Sequence, residues 1–155
     1  KNHFNIRKKS IQSNISFNRN RVLQGAWNNF TIQKRRNKDL DFDLGVIWGF
    51  DSGKQFNENF NAKAIGIKGA VNIFLNKIGR ISSEIIYVNT IESNDLSTLP
   101  PEALNGYALG ASLKTNTRLH YLLNKTISFN INLNTINDLR YDNLVTLQGE
   151  LRAYF

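Results

Sequence analysis

The feature that most constrains this chain is the strict alternation of apolar and polar residues over positions 145–155. The apolar or small positions are Val145, Leu147, Gly149, Leu151, Ala153 and Phe155, and Thr146, Gln148, Glu150, Arg152 and Tyr154 stand between them. Successive side chains of a β-strand point to opposite faces of its sheet. The pattern therefore predicts a strand with one apolar face and one polar face.

The same period of two recurs upstream, whereas helical periodicity is almost absent. It predicts about eight strands, over residues 10–18, 22–34, 39–50, 62–76, 80–92, 107–123, 126–137 and 145–155. Residues 22–34 are apolar on both parities, so this strand is assigned by its position and a bulge would explain its pattern. Asn124–Thr126 is predicted as a three-residue loop that pairs Tyr121 with Phe129 and Arg118 with Asn132.

Strand length favours a membrane barrel over a soluble one. The alternation lasts 11 residues over 145–155, whereas soluble strands usually run about 5–6 residues and a tilted crossing of a bilayer takes about 9–11. Counting back from Phe155 at the periplasmic end, short turns are expected at 77–79 and 124–126, and long external connections at 51–61, 93–106 and 138–143. A tight connection at Arg19–Arg21 is the exception to this order.

We therefore predict an all-β fold: an antiparallel up-and-down transmembrane β-barrel of about eight strands over residues 1–155, or the C-terminal strands of a larger barrel. The beginning, Lys1-Asn2-His3-Phe4, has no initiator Met and no apolar leader, so a processed or truncated start is expected. No run approaches the ~18–20 apolar residues of a spanning helix.

Charged side chains of both signs occupy the polar parity of the predicted strands. The residues predicted to face a lumen are Asp41, Asp43, Lys68, Glu84, Lys114, Arg118, His120, Glu150 and Arg152. The wet outer face of a soluble barrel would explain this pattern equally well. Glu150 and Arg152 share a parity with Arg118 and Lys114, so these four are candidates for an ion network, although ordinary packing is the favoured interpretation.

Few residues suit enzymatic or metal chemistry. The chain has no cysteine and two histidines, which leaves no thiolate site and makes a histidine-based metal site very improbable. No nucleophile motif accompanies His120, so we expect no catalytic residue and no cofactor. The net charge of +8 and the run Lys34-Arg35-Arg36 would suit nucleic acid in a soluble protein. The topology places that run at a periplasmic turn, and no nucleic-acid partner is expected.

Two segments carry a resemblance to a known group of proteins. These are Leu99-Pro100-Pro101-Glu102-Ala103-Leu104-Asn105-Gly106 and Leu147-Gln148-Gly149-Glu150-Leu151-Arg152-Ala153-Tyr154-Phe155. Together they resemble the C-terminal ends of large outer-membrane proteins of Bacteroidota. The positions Leu147, Gly149, Leu151, Ala153 and Phe155 also resemble the C-terminal signature that the barrel-assembly machinery of Gram-negative bacteria reads. The resemblance implies an outer-membrane location and no activity.

The function expected from the sequence is an integral outer-membrane barrel that acts as a membrane anchor or as a component of a transport, secretion or assembly complex. Its expected partners are outer-membrane lipid, the barrel-assembly machinery during biogenesis, and other subunits of such a complex. The location expected is the outer membrane of a Gram-negative bacterium. The alternatives are a soluble lipocalin-like ligand-binding barrel and a small outer-membrane enzyme that uses His120.

Overall fold

A computed structural model describes residues 2–12, 20–55, 58–76, 78–92 and 103–153. These ranges hold eight β-strands and one short 3₁₀ turn. The strands are β1 (Asn2–Gln12), β2 (Asn20–Asn37), β3 (Leu40–Gln55), β4 (Glu58–Leu75), β5 (Gly79–Glu92), β6 (Gly110–Leu122), β7 (Ile127–Asp138) and β8 (Tyr141–Ala153), and the 3₁₀ turn is Ala103–Gly106.

The strands form one antiparallel up-and-down meander in chain order, β1 to β8. Each strand therefore pairs with the strands before and after it along the chain. The predicted register between β6 and β7 is confirmed, because Tyr121 pairs with Phe129 and Arg118 with Asn132. The all-β class follows from the period-two pattern, since only an extended chain places alternate residues on opposite faces. The up-and-down order agrees with the short connections between most successive strands.

The sheet is not closed into a barrel within the described residues. Among those residues, β1 pairs with β2 and β8 with β7, and the ladder has no β1–β8 pairing. The predicted closed barrel is therefore not observed. The alternation of apolar and polar residues specifies faces and register, but it does not specify which strand lies beside an edge.

Several predicted connections are wrong, because the strands extend beyond the segments in which apolar and polar residues alternate. β3 continues to Gln55 and β4 begins at Glu58, so the long loop predicted at 51–61 is mostly paired strand. The turn between β7 and β8 lies at residues 139–140, not over 138–143. Arg21 lies inside β2, and residues 13–19, which hold most of the first predicted strand, lie outside the described residues.

The register carries one parity through all neighbouring strands and so divides the sheet into two faces. The row that starts at Asp41 continues through Asn72, Ser82, Arg118, Asn132 and Gln148, and we call this side the polar face. The row that starts at Phe42 continues through Val71, Ser83, Thr117, Leu133 and Leu147, and we call this side the apolar face.

The connection between β5 and β6 turns back onto the polar face. Its described part begins with the 3₁₀ turn, and we call residues 103–108 the inward segment. Ala103 and Leu104 are fully buried against β3 and β4. They join Phe60, Ala62, Ala64, Val88 and Tyr107 in an apolar cluster at the end of the sheet opposite the turns at 38–39 and 123–126. Among the described residues, no helix is long and apolar enough to cross a membrane.

Candidate functional site

All nine residues predicted to face a lumen lie on the polar face. The register places Asp41 and Asp43 on β3, Lys68 on β4, Glu84 on β5, Lys114, Arg118 and His120 on β6, and Glu150 and Arg152 on β8. These residues therefore share one face of the sheet, and their facing a lumen stays a prediction. The polar face is covered along β3 and near the inward segment, since Asp41, Asp51, Thr90 and Ser112 are buried there. On β6 and β8 it is open, since Arg118, His120, Glu150 and Arg152 are exposed.

The apolar face is the more exposed one on β3 and β4. On β3 the side chains of Leu44, Trp48 and Phe50 are 69%, 46% and 49% exposed, whereas Ile47 between them is 3% exposed. Leu147 and Leu151, two of the residues that resemble the C-terminal signature, are 69% and 66% exposed. Gly149 and Ala153 share their parity on β8, and Phe155 lies outside the described residues.

Ion pairs on the polar face are local and do not form the network considered from the sequence. Arg152 Nε lies 2.7 Å from Glu150 Oε1, and Lys68 Nζ lies 4.0 Å from Glu84 Oε1. In the described part of the chain, neither Lys114 nor Arg118 has a carboxylate oxygen within 4.0 Å. Lys114 instead places its Nζ 3.9 Å from the centre of the Tyr107 ring.

A third ion pair lies near the turn between β2 and β3. Arg35 Nε donates to Asp41 Oδ1 at 2.8 Å, across the β2–β3 ladder. Within the basic run Lys34–Arg36, Arg35 is therefore paired with a carboxylate of the neighbouring strand. The β2–β3 register shifts between Arg35 and Asn37, so β2 does contain an irregularity. It lies just after residues 22–34, the range for which the sequence predicted a bulge.

Side-chain amides link the polar faces of β6 and β7. Asn116 Nδ2 donates to Asn132 Oδ1 at 3.0 Å and also to Asn134 Oδ1. His120 Nδ1 lies 2.6 Å from Asn130 Oδ1. The imidazole is thus held by an amide, and neither a serine nor a carboxylate is among its hydrogen-bond partners in the described residues.

The inward segment is fixed by contacts from four directions. Leu104 N donates to Asp51 Oδ2 at 2.5 Å, and Arg140 Nη2 donates to the carbonyl of Gly106 at 2.8 Å. The Tyr107 ring stacks on Trp27 with centroids 5.6 Å apart, while Lys114 covers it. Arg140 is itself held by buried Asp138, whose Oδ2 accepts from Arg140 Nη2 at 2.8 Å. The segment therefore connects β2, β3, β6 and the β7–β8 turn.

The backbone of the inward segment needs this support. Leu104 and Asn105 have φ values of 46° and 56°, in the left-handed region that costs a residue with a side chain roughly 1–2 kcal/mol. That cost is offset by the burial of Leu104 and by the hydrogen bond that its N–H donates to the Asp51 carboxylate. Burial also raises the pKa of the Tyr107 phenol, and the charge of Glu84 adds to the effect, so the ring stays neutral in its stack.

Two glycines make room for the groups that hold the segment. A Cβ at Gly25 would lie 1.7 Å from Asp51 Oδ1, and one at Gly49 would lie 2.5 Å from Trp27 Cε3. Each glycine sits directly across the β2–β3 ladder from the side chain it accommodates. Sequence reasoning missed Asp51 as a polar-face residue because it was placed in a loop, although it shares the parity of Asp41 and Asp43.

In the part of the chain that the structure describes, no three His, Cys, Asp or Glu side chains are grouped so that they could hold a metal ion. No protein-family model, curated protein or solved structure matches the chain.

Proposed function

We propose that this chain is an integral outer-membrane β-barrel protein, or the strands of a larger barrel, that acts as a membrane anchor or as a component of a transport, secretion or assembly complex. One observation carries the proposal: along β3 and β4 the exposed face of the sheet is the apolar one, and the opposite face is covered. Membrane barrels have an apolar outer band and a polar interior, whereas a water-soluble sheet buries its apolar face.

The size of the uncharged band fits a bilayer. From β3 onward, the register rows that start at Leu40, Phe42 and Leu44 carry no charged residue on the apolar face as far as β8, and the shorter rows from Val46 and Trp48 carry none before they end on β7 and β6. On β2, Lys34 pairs with Phe42 and is the charged residue of that row. At ~3.4 Å per residue these rows span roughly 27 Å along the strand, or roughly 21 Å after a tilt of ~40°. An apolar band about 25 Å tall is typical of outer-membrane barrels. Lys63, in the next row, would lie at the edge of the band.

Hydroxyl groups on the apolar face have partners within the sheet. Ser83 Oγ lies 3.0 Å from Thr117 Oγ1, and Thr115 Oγ1 lies 2.8 Å from Thr135 Oγ1. Each pair is directly opposed across a ladder. Polar groups in contact with lipid must find partners inside the protein, so this arrangement supports a lipid-facing surface.

The inward segment bears on which role within the membrane is favoured. It covers the polar face at the end opposite the turns at 38–39 and 123–126. An eight-stranded barrel already has an interior filled by side chains, and an inward segment narrows it further. Both features favour an anchor or a closed component over an open channel. The resemblance to Bacteroidota outer-membrane proteins adds the organism class and the expected partners, which are outer-membrane lipid and the barrel-assembly machinery.

A soluble lipocalin-like barrel would require the opposite arrangement. Its apolar side chains would enclose the ligand, and Leu44 and Trp48 would then be the covered residues. No enzyme is proposed, because the amide of Asn130 is the partner of His120.

The two tryptophans test the proposal, because they lie on opposite faces. Trp48 is on the exposed apolar face, whereas Trp27 stacks on Tyr107 at the polar face. The variants Trp27→Phe and Trp48→Phe each leave one reporter. After folding into vesicles with brominated acyl chains, we expect strong fluorescence quenching of Trp48 and weak quenching of Trp27. A chain that folds in buffer without lipid or detergent, with Trp48 unaffected by vesicles, would contradict a membrane location.

A further inference from the structure

A polar cavity of about 480 Å³ opens on the polar face near the turns at 38–39 and 123–126, at the end away from the inward segment. The residues of its wall that matter here are Asp43, Asn72, Arg80, Asn116, Arg118 and His120. The sheet supplies these groups from β3, β4, β5 and β6, so the cavity is a property of the curved sheet and not of one loop.

Within the described residues, the two arginines of this cavity, Arg80 and Arg118, have no carboxylate oxygen within 4.0 Å. Arg35, Arg140 and Arg152 each reach a carboxylate oxygen at 2.7 or 2.8 Å. Arg80 donates only to an amide, Asn72 Oδ1 at 2.6 Å, among the hydrogen bonds of the described residues. Within those same residues Arg118 has neither a hydrogen bond nor an ion pair.

The positions of Arg80 and Arg118 bring two positive charges close together. Ser82 pairs with Arg118 and Arg80 with His120, so the two arginines are diagonal neighbours on β5 and β6. Like charges at such positions destabilise a sheet unless a counter-charge lies between them. A carboxylate suits this place, because guanidinium groups bind carboxylates through paired charge-assisted hydrogen bonds.

The cavity is also lined by a negatively charged side chain, Asp43, that lacks a partner in the part of the chain that the structure describes. Asp43 Oδ1 is buried and has no hydrogen-bond partner in the described residues. The second carboxylate of the cavity, Glu84, is paired with Lys68 at 4.0 Å. Because Oδ1 is closed to solvent, a ligand would reach this carboxylate through Oδ2, which is neither buried nor hydrogen-bonded in the described residues. A cation or an N–H donor placed there would be stabilised by the negative charge.

We propose that the cavity binds a small zwitterionic solute, an amino acid or a short peptide. Its carboxylate would lie between Arg80 and Arg118, and its ammonium group would lie against Asp43. The amides of Asn72 and Asn116 are placed to bind the atoms between the two charges. An anion alone, such as free phosphate, would leave Asp43 without a partner. A zwitterion would supply a counter-charge both to the two arginines and to Asp43.

Isothermal titration of the full chain, in the detergent or buffer in which it folds, tests this site independently of the membrane proposal. Glycylglycine is the zwitterionic probe, N-acetyl-glycylglycine keeps only the carboxylate, and glycylglycinamide keeps only the ammonium group. We expect glycylglycine to bind and each single-charge analogue to bind about tenfold more weakly or worse, because each loses one ion pair.

Variants assign the charges to residues. Arg118→Gln and Asp43→Asn should each weaken glycylglycine binding by about tenfold or more. The matched controls Arg152→Gln and Glu150→Gln change residues that are paired with each other and do not line this cavity, and they should leave binding unchanged. Two results would overturn the proposal: no heat of binding for any probe, or equal binding of N-acetyl-glycylglycine with no effect of Asp43→Asn, which would indicate a simple anion site.

Discussion

At the level of single residues, the polar face depends on where side chains are missing as much as on where they are present. Gly25 lies under the Asp51 carboxylate and Gly49 under the Trp27 ring. Both large groups hold the inward segment, through Leu104 N and the Tyr107 ring. A glycine is needed here for close approach of a neighbour, and not for an unusual backbone angle.

We expect Gly25→Ala to destabilise the folded chain by about 1–3 kcal/mol, since the new methyl group would force Asp51 away from Leu104. Urea unfolding of the chain in vesicles, followed by fluorescence, measures the change. Gly149→Ala is the matched control, because a Cβ there meets no atom within 4 Å, and its effect should stay within about 0.5 kcal/mol. Equal effects of the two substitutions would mean that Asp51 does not occupy the space over Gly25.

Parity could be predicted from the sequence for individual residues, but partners could not. Glu150 and Arg152 lie on one face, as predicted, and they form an ion pair. Lys114 lies on the polar face, yet it covers the ring of Tyr107 in the connection that leads into its own strand. That contact depends on how the connection folds back, and no local pattern specifies it. Arg140 was missed for the same reason, since its acceptor, Gly106 O, is 34 residues away.

At the level of strands, β8 offers the sharpest test of which face meets lipid. Leu147 and Gln148 are adjacent, and they point to the apolar and polar faces respectively. Both are exposed in the open sheet, so their burial alone does not separate them. Only the surroundings of the two faces differ.

Leu147→Lys should weaken folding into vesicles by roughly 2–4 kcal/mol if its side chain lies near the middle of the bilayer. The same residue introduced as Gln148→Lys should have a much smaller effect, because it would lie on the polar face. Folding yield and urea midpoint in vesicles measure both. Similar small effects at the two positions would mean that the apolar face is in contact with water.

The inward segment makes a separate prediction. Asp51→Ala leaves Leu104 N without its acceptor, at a cost of about 1–3 kcal/mol, and the left-handed backbone at Leu104 loses its support. Hydrogen exchange in residues 103–109 should therefore accelerate while exchange in β6 and β7 stays unchanged. Glu150→Ala serves as the control, since that exposed carboxylate pairs with Arg152 near the end of β8 that lies away from the β7–β8 turn and the segment. Unchanged exchange in Asp51→Ala would show that Asp51 does not hold the segment.

Strand boundaries were the weakest predictions, and the reason is physical. Alternation reports the side chains, but a ladder is held by backbone hydrogen bonds that any residue except proline can make. β3 and β4 continue pairing to Gln55 and Glu58, through polar residues that show no alternation. Centres of strands were therefore placed well, whereas β3 was ended too early, β4 and β8 were begun too late, and β6 was begun three residues too early.

At the level of the whole molecule, the open edge of β8 is incompatible with a lipid environment, because its backbone groups lack strand partners among the described residues. Unpaired N–H and C=O groups in hydrocarbon cost several kcal/mol each, so a lipid-embedded sheet must find a strand to pair with β8. An even number of antiparallel strands leaves β1 correctly oriented for that pairing.

Because the chain contains no cysteine, introduced pairs report on this pairing without background. A set of double variants, each with one cysteine in β1 and one in β8, should give disulfide-linked monomers after folding into vesicles. Linked dimers would indicate that a second copy occupies the edge. The absence of any cross-link along both strands would contradict closure by β1.

The links made by the inward segment have a consequence for the order of folding. Each strand pairs only with its neighbours along the chain, so hairpins can form one after another without waiting for distant residues. The inward segment cannot dock in this way, because Trp27, Asp51 and Arg140 come from opposite halves of the chain. It can settle only after β2, β3 and the β7–β8 turn are all in place, which makes its docking a late event that follows assembly of the sheet.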